Sequence, residues 1–123
     1  MIAARHAVYE RLAAIADLPE MVFPGQEAEG VTPRIEVNPG PSRNMTMGWS
    51  EVTDHAGEIQ VIVVTSPRDV PANNAAVEAI VAAFPVHLRF DGVAIPRLPD
   101  VRPPLVEAAE YRVAIFIRYQ TLL

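Results

Sequence analysis

Leu88-Arg89-Phe90-Asp91-Gly92-Val93-Ala94-Ile95 reads as a β-hairpin. It lies between a helix ending Val81-Ala82-Ala83-Phe84-Pro85 and a closing strand, Tyr111-Arg112-Val113-Ala114-Ile115-Phe116-Ile117-Arg118-Tyr119. Asp-Gly between two apolar runs signals a two-residue type I′ turn, whose central residues both need φ above zero. That turn sets Phe90 against Val93 and Leu88 against Ile95, two apolar pairs across the strands. Pro96 has no N–H to give to a ladder, which places the second hairpin strand at a sheet edge. The closing strand puts Tyr111, Val113, Ile115, Ile117 and Tyr119 on one face, and Arg112, Phe116 and Arg118 on the other. Helix, hairpin and long strand together close a small α+β domain.

The rest of the chain agrees with this. Residues 2–16 predict a helix with Ala4, Val8, Leu12 and Ile15 on its apolar face and His6, Glu10 and Asp17 opposite. Asp17-Leu18-Pro19 ends it, because a residue before proline avoids the α region. Residues 19–33 read as a polar connection. Arg34-Ile35-Glu36-Val37-Asn38 alternates as a short strand, and Asn38-Pro39-Gly40-Pro41 stops it. Residues 57–66 form the best central strand: Ile59, Val61, Val63 and Thr65 face one way, Gln60, Ile62 and Val64 the other. Both faces turn apolar toward its end, as a strand covered on both sides requires. Asp69 is placed to cap a helix over 70–84, with Pro71 in its first turn. Val77, Ile80, Val81 and Phe84 form its buried stripe; Asn73, Asn74 and Glu78 form its wet face. Residues 98–109 read as a proline-rich loop. The expected architecture is one mixed or antiparallel sheet with two helices packed on it, in the order α-β-β-β-α-β-β-β.

At 123 residues, half of them hydrophobic, the chain is long enough for one domain with a real core. There is no cysteine, so thiol nucleophiles, disulfides, Cys-type zinc sites and iron–sulfur clusters are out of reach. Arg5, Glu10 and Arg11 interrupt any signal-like apolar segment, and no uncharged run approaches the length that spans a bilayer. A soluble intracellular protein is expected. The net charge of −5 argues against general affinity for nucleic acid. All ten basic residues are arginine, the usage of a GC-rich genome.

No chemistry-bearing motif emerges. His6, His55 and His87 fall on different elements without metal-ligand spacing. Gly48-Trp49-Ser50-Glu51 lacks the second glycine of a nucleophile elbow, and the six glycines form no phosphate-binding loop. No cofactor and no catalytic residue is expected. What stands out instead is Met45, Met47 and Trp49, alternating with Thr46, Gly48 and Ser50 between Ser42-Arg43-Asn44 and Asp54-His55-Ala56-Gly57. Such a stripe usually packs in a core. Here proline and glycine set it apart, so residues 40–56 are read as a protruding arm, or a hairpin strand leading into the next strand, with an interface role. Arg43, Met45, Met47, Trp49, Arg112 and Arg118 are the candidate interface residues. Arg112 and Arg118 could also contact phosphate, although pairing with neighbouring carboxylates is the preferred reading.

In this order and spacing the whole chain resembles the tail terminator proteins of long-tailed bacteriophages. The resemblance is carried by Arg11-Leu12-Ala13-Ala14 in the first helix and by Pro33-Arg34-Ile35-Glu36-Val37 before a variable arm. It continues through Gly57-Glu58-Ile59-Gln60-Val61-Ile62-Val63, Ala83-Phe84-Pro85, Phe90-Asp91-Gly92-Val93 and Tyr111-Arg112-Val113-Ala114-Ile115. It implies a non-enzymatic virion protein at the tail–head junction, made in the bacterial host's cytoplasm. It further implies a ring, expected to be a hexamer, that caps the tail tube, ends its polymerisation and offers a head-joining surface. The implied partners are further copies of the chain, the major tail tube protein and the head–tail connector. DNA would pass through the lumen without specific binding, and an acidic protomer suits that passage. Two alternatives remain: another particle component, such as a connector or tube subunit, and a small cytoplasmic enzyme or ligand-binding module.

Overall fold

The computed structural model describes residues 2–26, 32–46 and 53–121. Ten elements follow in order: α1 (Ile2–Ala13), β1 (Glu20–Val22), β2 (Arg34–Thr46), β3 (Thr53–Thr65), α2 (Val70–Ala83), β4 (Arg89–Phe90), β5 (Val93–Ala94), β6 (Asp100–Val101), β7 (Leu105–Glu107) and β8 (Glu110–Thr121). The strands form a single sheet in the order β1-β2-β3-β8-β5-β4, with β6 and β7 also paired to β8. β1 and β2 run parallel and every other pair is antiparallel. This is the mixed-sheet α+β architecture that the sequence suggests.

The core follows from the period-2 pattern. Ile35, Val63 and Val113 stand in register across β2, β3 and β8, as do Val37, Val61 and Ile115. All are buried, together with Ile59 and Ile117 beside them. Both helices cover this one face: Ala4, Ala7, Val8 and Leu12 from α1, and Ala76 and Ile80 from α2 with Phe84 at its C-cap. Arg11 joins the helices. Its Nε donates to the carbonyl of Ala83, the last residue of α2, at 2.7 Å, and its guanidinium lies 5.0 Å from the Phe90 ring centre. A cation at that end meets the negative pole of the helix dipole and a carbonyl left over by the last turn.

The Asp91-Gly92 turn has φ of 46° and 78°, and Phe90 opposes Val93, as the type I′ signal requires. Ile95 N–H donates to Leu88 O, extending the same pairing.

Six expectations change. The first helix ends at Ala13, not at residue 16, because its last turn tightens into an Ile15 N–H to Leu12 O bond and Asp17 turns left-handed at φ 61°. The connection 19–33 contains β1. The strand from Arg34 does not stop at Pro39-Gly40-Pro41 but runs on to Thr46. β1 pairs only with Arg34–Glu36, so past Glu36 no described strand lies on the outer side of β2. Proline is tolerated on such an edge, and a register shift between Pro39 and Ser42 absorbs the kink. β5 is not an edge: it sits between β8 and β4. Pro96 lies beyond the paired residues, so its missing N–H costs the ladder nothing. The proline-rich stretch 98–109 holds β6 and β7, both laid along β8. Finally, Asn73 is not on a wet face. It is fully buried, where its side-chain amide donates to Val63 O at 3.0 Å, Thr65 Oγ1 at 3.2 Å and Tyr111 O at 3.3 Å.

Candidate assembly surface

The sheet face that the helices leave uncovered is built from charge. Register alone sets Arg34 and Arg112 on either side of Val64, with Glu36 and Ala114 on either side of Ile62. The side chains close a ring of ion pairs. Arg34 Nε donates to Glu36 Oε2 at 2.7 Å, and Arg34 Nη1 to Glu110 Oε2 at 2.6 Å. Arg112 Nη1 donates to Glu110 Oε1 at 3.0 Å and its Nη2 to Glu36 Oε1 at 3.2 Å. Each of the four groups thus has two partners in the ring. Arg34 is buried, while Glu36, Glu110 and Arg112 keep about a quarter of their side-chain surface exposed. Arginine suits the place, because its planar fork makes paired bonds to carboxylates. The Arg34 guanidinium, through its hydrogen bonds, holds the Glu110 carboxyl below the usual glutamate value, against the opposing effect of burial. The same bonds raise the pKa of Arg34. Val64, between Arg34 and Arg112 in the register, is fully buried although it stands outside the core cluster that the helices pack on. Its register partners on both sides are Arg34 and Arg112, long side chains whose apolar stems suit cover for such a position.

Farther along, Arg118 reaches Glu58 at 3.5 Å across β8 and β3 and stays half exposed. Arg102 stacks over Phe116 at 5.1 Å and pairs with Asp100 at 3.1 Å. The chain from Pro96 to Val106, here termed the flap, folds over this margin. Its Pro103 and Leu105 wall a cleft of about 460 Å³ with Gln60, Ile62, Glu107, Arg112 and Ala114. Among the described residues, four of the five exposed large hydrophobics lie on the flap: Leu98, Val101, Leu105 and Val106, at 62, 44, 56 and 62%.

At one end β2 and β3 leave the sheet as a ribbon. The β3–β8 ladder stops at Ala56, whereas β2 and β3 stay paired through Asn44–His55, Met45–Asp54 and Thr46–Thr53. Glycine marks its base. A Cβ on Gly57 would collide with the ring of its cross-strand partner Tyr119, and one on Gly40 would come within 2.5 Å of Glu58 O. Of the residues singled out from the sequence, Arg43 and Met45 have their backbones on this ribbon and their side chains outside the described part. Met47 and Trp49 lie outside the described residues. Arg112 and Arg118 are on the open face and paired with carboxylates of the same chain, the reading preferred from sequence. The structure thus brings Arg112 and Arg118 onto one strand and sets the ribbon at another end of the sheet. Glu36 and Glu110 were not singled out, although Glu36 and Arg34 alternate with the buried Ile35 and Val37.

The far side of the sheet carries a second recess. Arg5, His6, Tyr9, Glu10 and Ala13 of α1 line a groove of about 460 Å³ with Phe23 and Pro24 after β1 and Pro39 of β2. The Tyr9 and Phe23 rings pack against each other at a tilt, with centres 5.4 Å apart. Arg5 Nε and Tyr9 Oη are shielded from solvent and have no hydrogen-bond partner among the described residues. Burial raises the Tyr9 pKa, so its hydroxyl stays protonated as a donor.

No helix among the described residues is long and apolar enough to cross a membrane. No protein-family model and no curated protein matches the chain. Solved structures do. One, which carries no functional description, superposes with a TM-score of 0.69 at 22% identity, covering 97% of this chain and 93% of its own. Another belongs to the virion of a native gene transfer agent particle and superposes with a TM-score of 0.62 at 16% identity, covering 97% and 94%. At these identities the likeness establishes a shared fold over the whole chain.

Proposed function

We propose that this protein is a structural component of a phage-like particle and acts as its tail terminator. In this reading it forms a ring, a hexamer, that caps the tail tube, ends tube polymerisation and presents the head-joining surface. The observation that carries the proposal is the match, end to end and without large insertions, to a chain of a gene transfer agent virion. The order of elements that resembles tail terminators points the same way. The architecture suits the role. One face of the sheet holds the core, and the other is a polar wall with its charges already paired, which leaves the edges and the ribbon for contacts. Under this reading Arg43, Met45, Met47 and Trp49 contact the neighbouring subunit or the tube, while Arg112 and Arg118 line the charged wall. The partners are further copies of the chain, the tube protein and the connector. The net charge of −5 would let DNA pass without being gripped.

Electron microscopy of particles from a deletion strain tests this. Loss of a terminator gives overlong tails or tails without heads. Loss of a tube subunit gives no tails at all. Normal-length tails joined to heads would overturn the assignment.

A further inference from the structure

We propose that the flap of one copy, residues 96–106, docks in the groove between α1 and β1 of a second copy and links subunits head to tail. The inference deepens the ring reading above and rests on it. Four observations meet here. First, flap and groove belong to opposite margins of one sheet. β1 is the outermost strand on one side, whereas β6 and β7 lie along the far edge of β8. A chain's own flap therefore does not fill its own groove, but a neighbour's can.

Second, their hydrogen-bonding needs are opposite. The flap carries Pro96, Pro99, Pro103 and Pro104, four positions that offer a carbonyl and no N–H. The groove holds two shielded donors without acceptors, Arg5 Nε and Tyr9 Oη. Buried donors left unmet are costly, and a proline carbonyl is an acceptor with no N–H of its own residue beside it. Third, the surfaces match in character. Leu98, Leu105 and Val106 stand exposed, and the groove wall is Tyr9, Ala13, Phe23, Pro24 and Pro39. Aromatic grooves are a common seat for extended proline-bearing segments.

Fourth, the rims are charge-complementary. Arg97 is exposed on the flap. Asp17, between α1 and β1, and Glu20, the first residue of β1, are exposed as well. None of the three takes part in an ion pair among the described residues. A flap-to-flap dimer would leave the groove donors unmet. The heterologous contact brings flap carbonyls to the groove that holds them, and its repetition generates a ring when the rotation closes.

The absence of cysteine makes a direct test possible. Two single-cysteine variants, Ala13→Cys in the groove and Val106→Cys on the flap, are mixed at high concentration and oxidised. The mixed disulfide should form about tenfold faster than in a control where Glu78→Cys, on the exposed face of α2, replaces Ala13→Cys. Adding Leu98→Asp and Leu105→Asp to the flap variant should bring the rate down to the control. Equal rates in the two mixtures would overturn the docking, and so would Val106→Cys alone dimerising as fast as the mixture. Immunodetection of the protein in purified particles is scored separately. Its failure sinks the virion role, whereas failed cross-linking sinks only the docking.

Discussion

The two faces of this sheet solve the same problem by different means. On one, Ile35, Val63 and Val113 disappear under two helices. On the other, one residue along in each strand, Arg34, Val64 and Arg112 lie in a row, and Val64 is as deeply buried under a ring of ion pairs. The first face is held by area removed from water. The second depends on geometry, because ionised groups with little solvent repay their desolvation only when each is well paired. The first should tolerate changes that conserve volume, and the second should fail when one partner is lost.

The largest test of that contrast compares neighbours in β8. Ile115→Ala, on the helix-covered face, should cost about 3–4 kcal/mol in denaturant unfolding. Phe116→Ala, on the open face beneath Arg102, should cost about 1 kcal/mol or less. Equal losses would show that the faces are not energetically distinct.

Asn73 is the polar exception within the apolar face. Asn73→Ala leaves the carbonyls of Val63 and Tyr111 without this donor and should cost about 2–3 kcal/mol. Asn73→Asp should cost more, because a carboxylate would face those same acceptors. A neutral effect in chemical denaturation would mean that other donors take over.

On the open face, Arg34→Met should destabilise by about 1–3 kcal/mol, since it strands Glu36 and Glu110 beside Arg112 alone. The ring also fixes a pH response. The folded-state pKa of Glu110 lies below its ordinary value of 4.5. Its contribution is therefore complete above that value and is lost as pH falls through the folded-state pKa. Thermal unfolding followed from pH 7 downward should show a loss in acid that is shallower in Glu110→Gln.

The smallest effect has the opposite sign. The β7–β8 turn places Ala108 and Ala109 at φ of 48° and 63°, a conformation that disfavours a Cβ. Ala109→Gly should stabilise by about 0.5–1 kcal/mol, read as a raised melting temperature.

Legibility from sequence follows the same divide. The core strands were readable because Ile59, Val61 and Val63 alternate without interruption, and the hairpin because Asp91-Gly92 admits one turn type. Asn73 was misplaced because polarity outweighed position. It lies seven residues before Ile80, on the same helical face, and that spacing was the available signal. β6 and β7 escaped because they are two and three residues long and set among prolines. The extension of β2 through Pro39 escaped because local proline rules say nothing about which edge of a strand stands free. The ring of ion pairs joins strands that are far apart in the chain, and only the register of β2, β3 and β8 reveals it.

β8 takes β3 along one edge and β7, β6 and β5 along the other. It also follows all of them in the chain, so during synthesis each must wait for it. Until Glu110–Thr121 clears the ribosome, β3 presents an open apolar edge, and the short strands after α2 have nothing to pair with but each other. Most native contacts of the second half are thus sealed in a single late step, which gives slow folding and a nascent chain that invites chaperone binding. Synthesis arrested before Glu110 should yield a protease-sensitive chain, and release of the remaining strand should convert it to a resistant one.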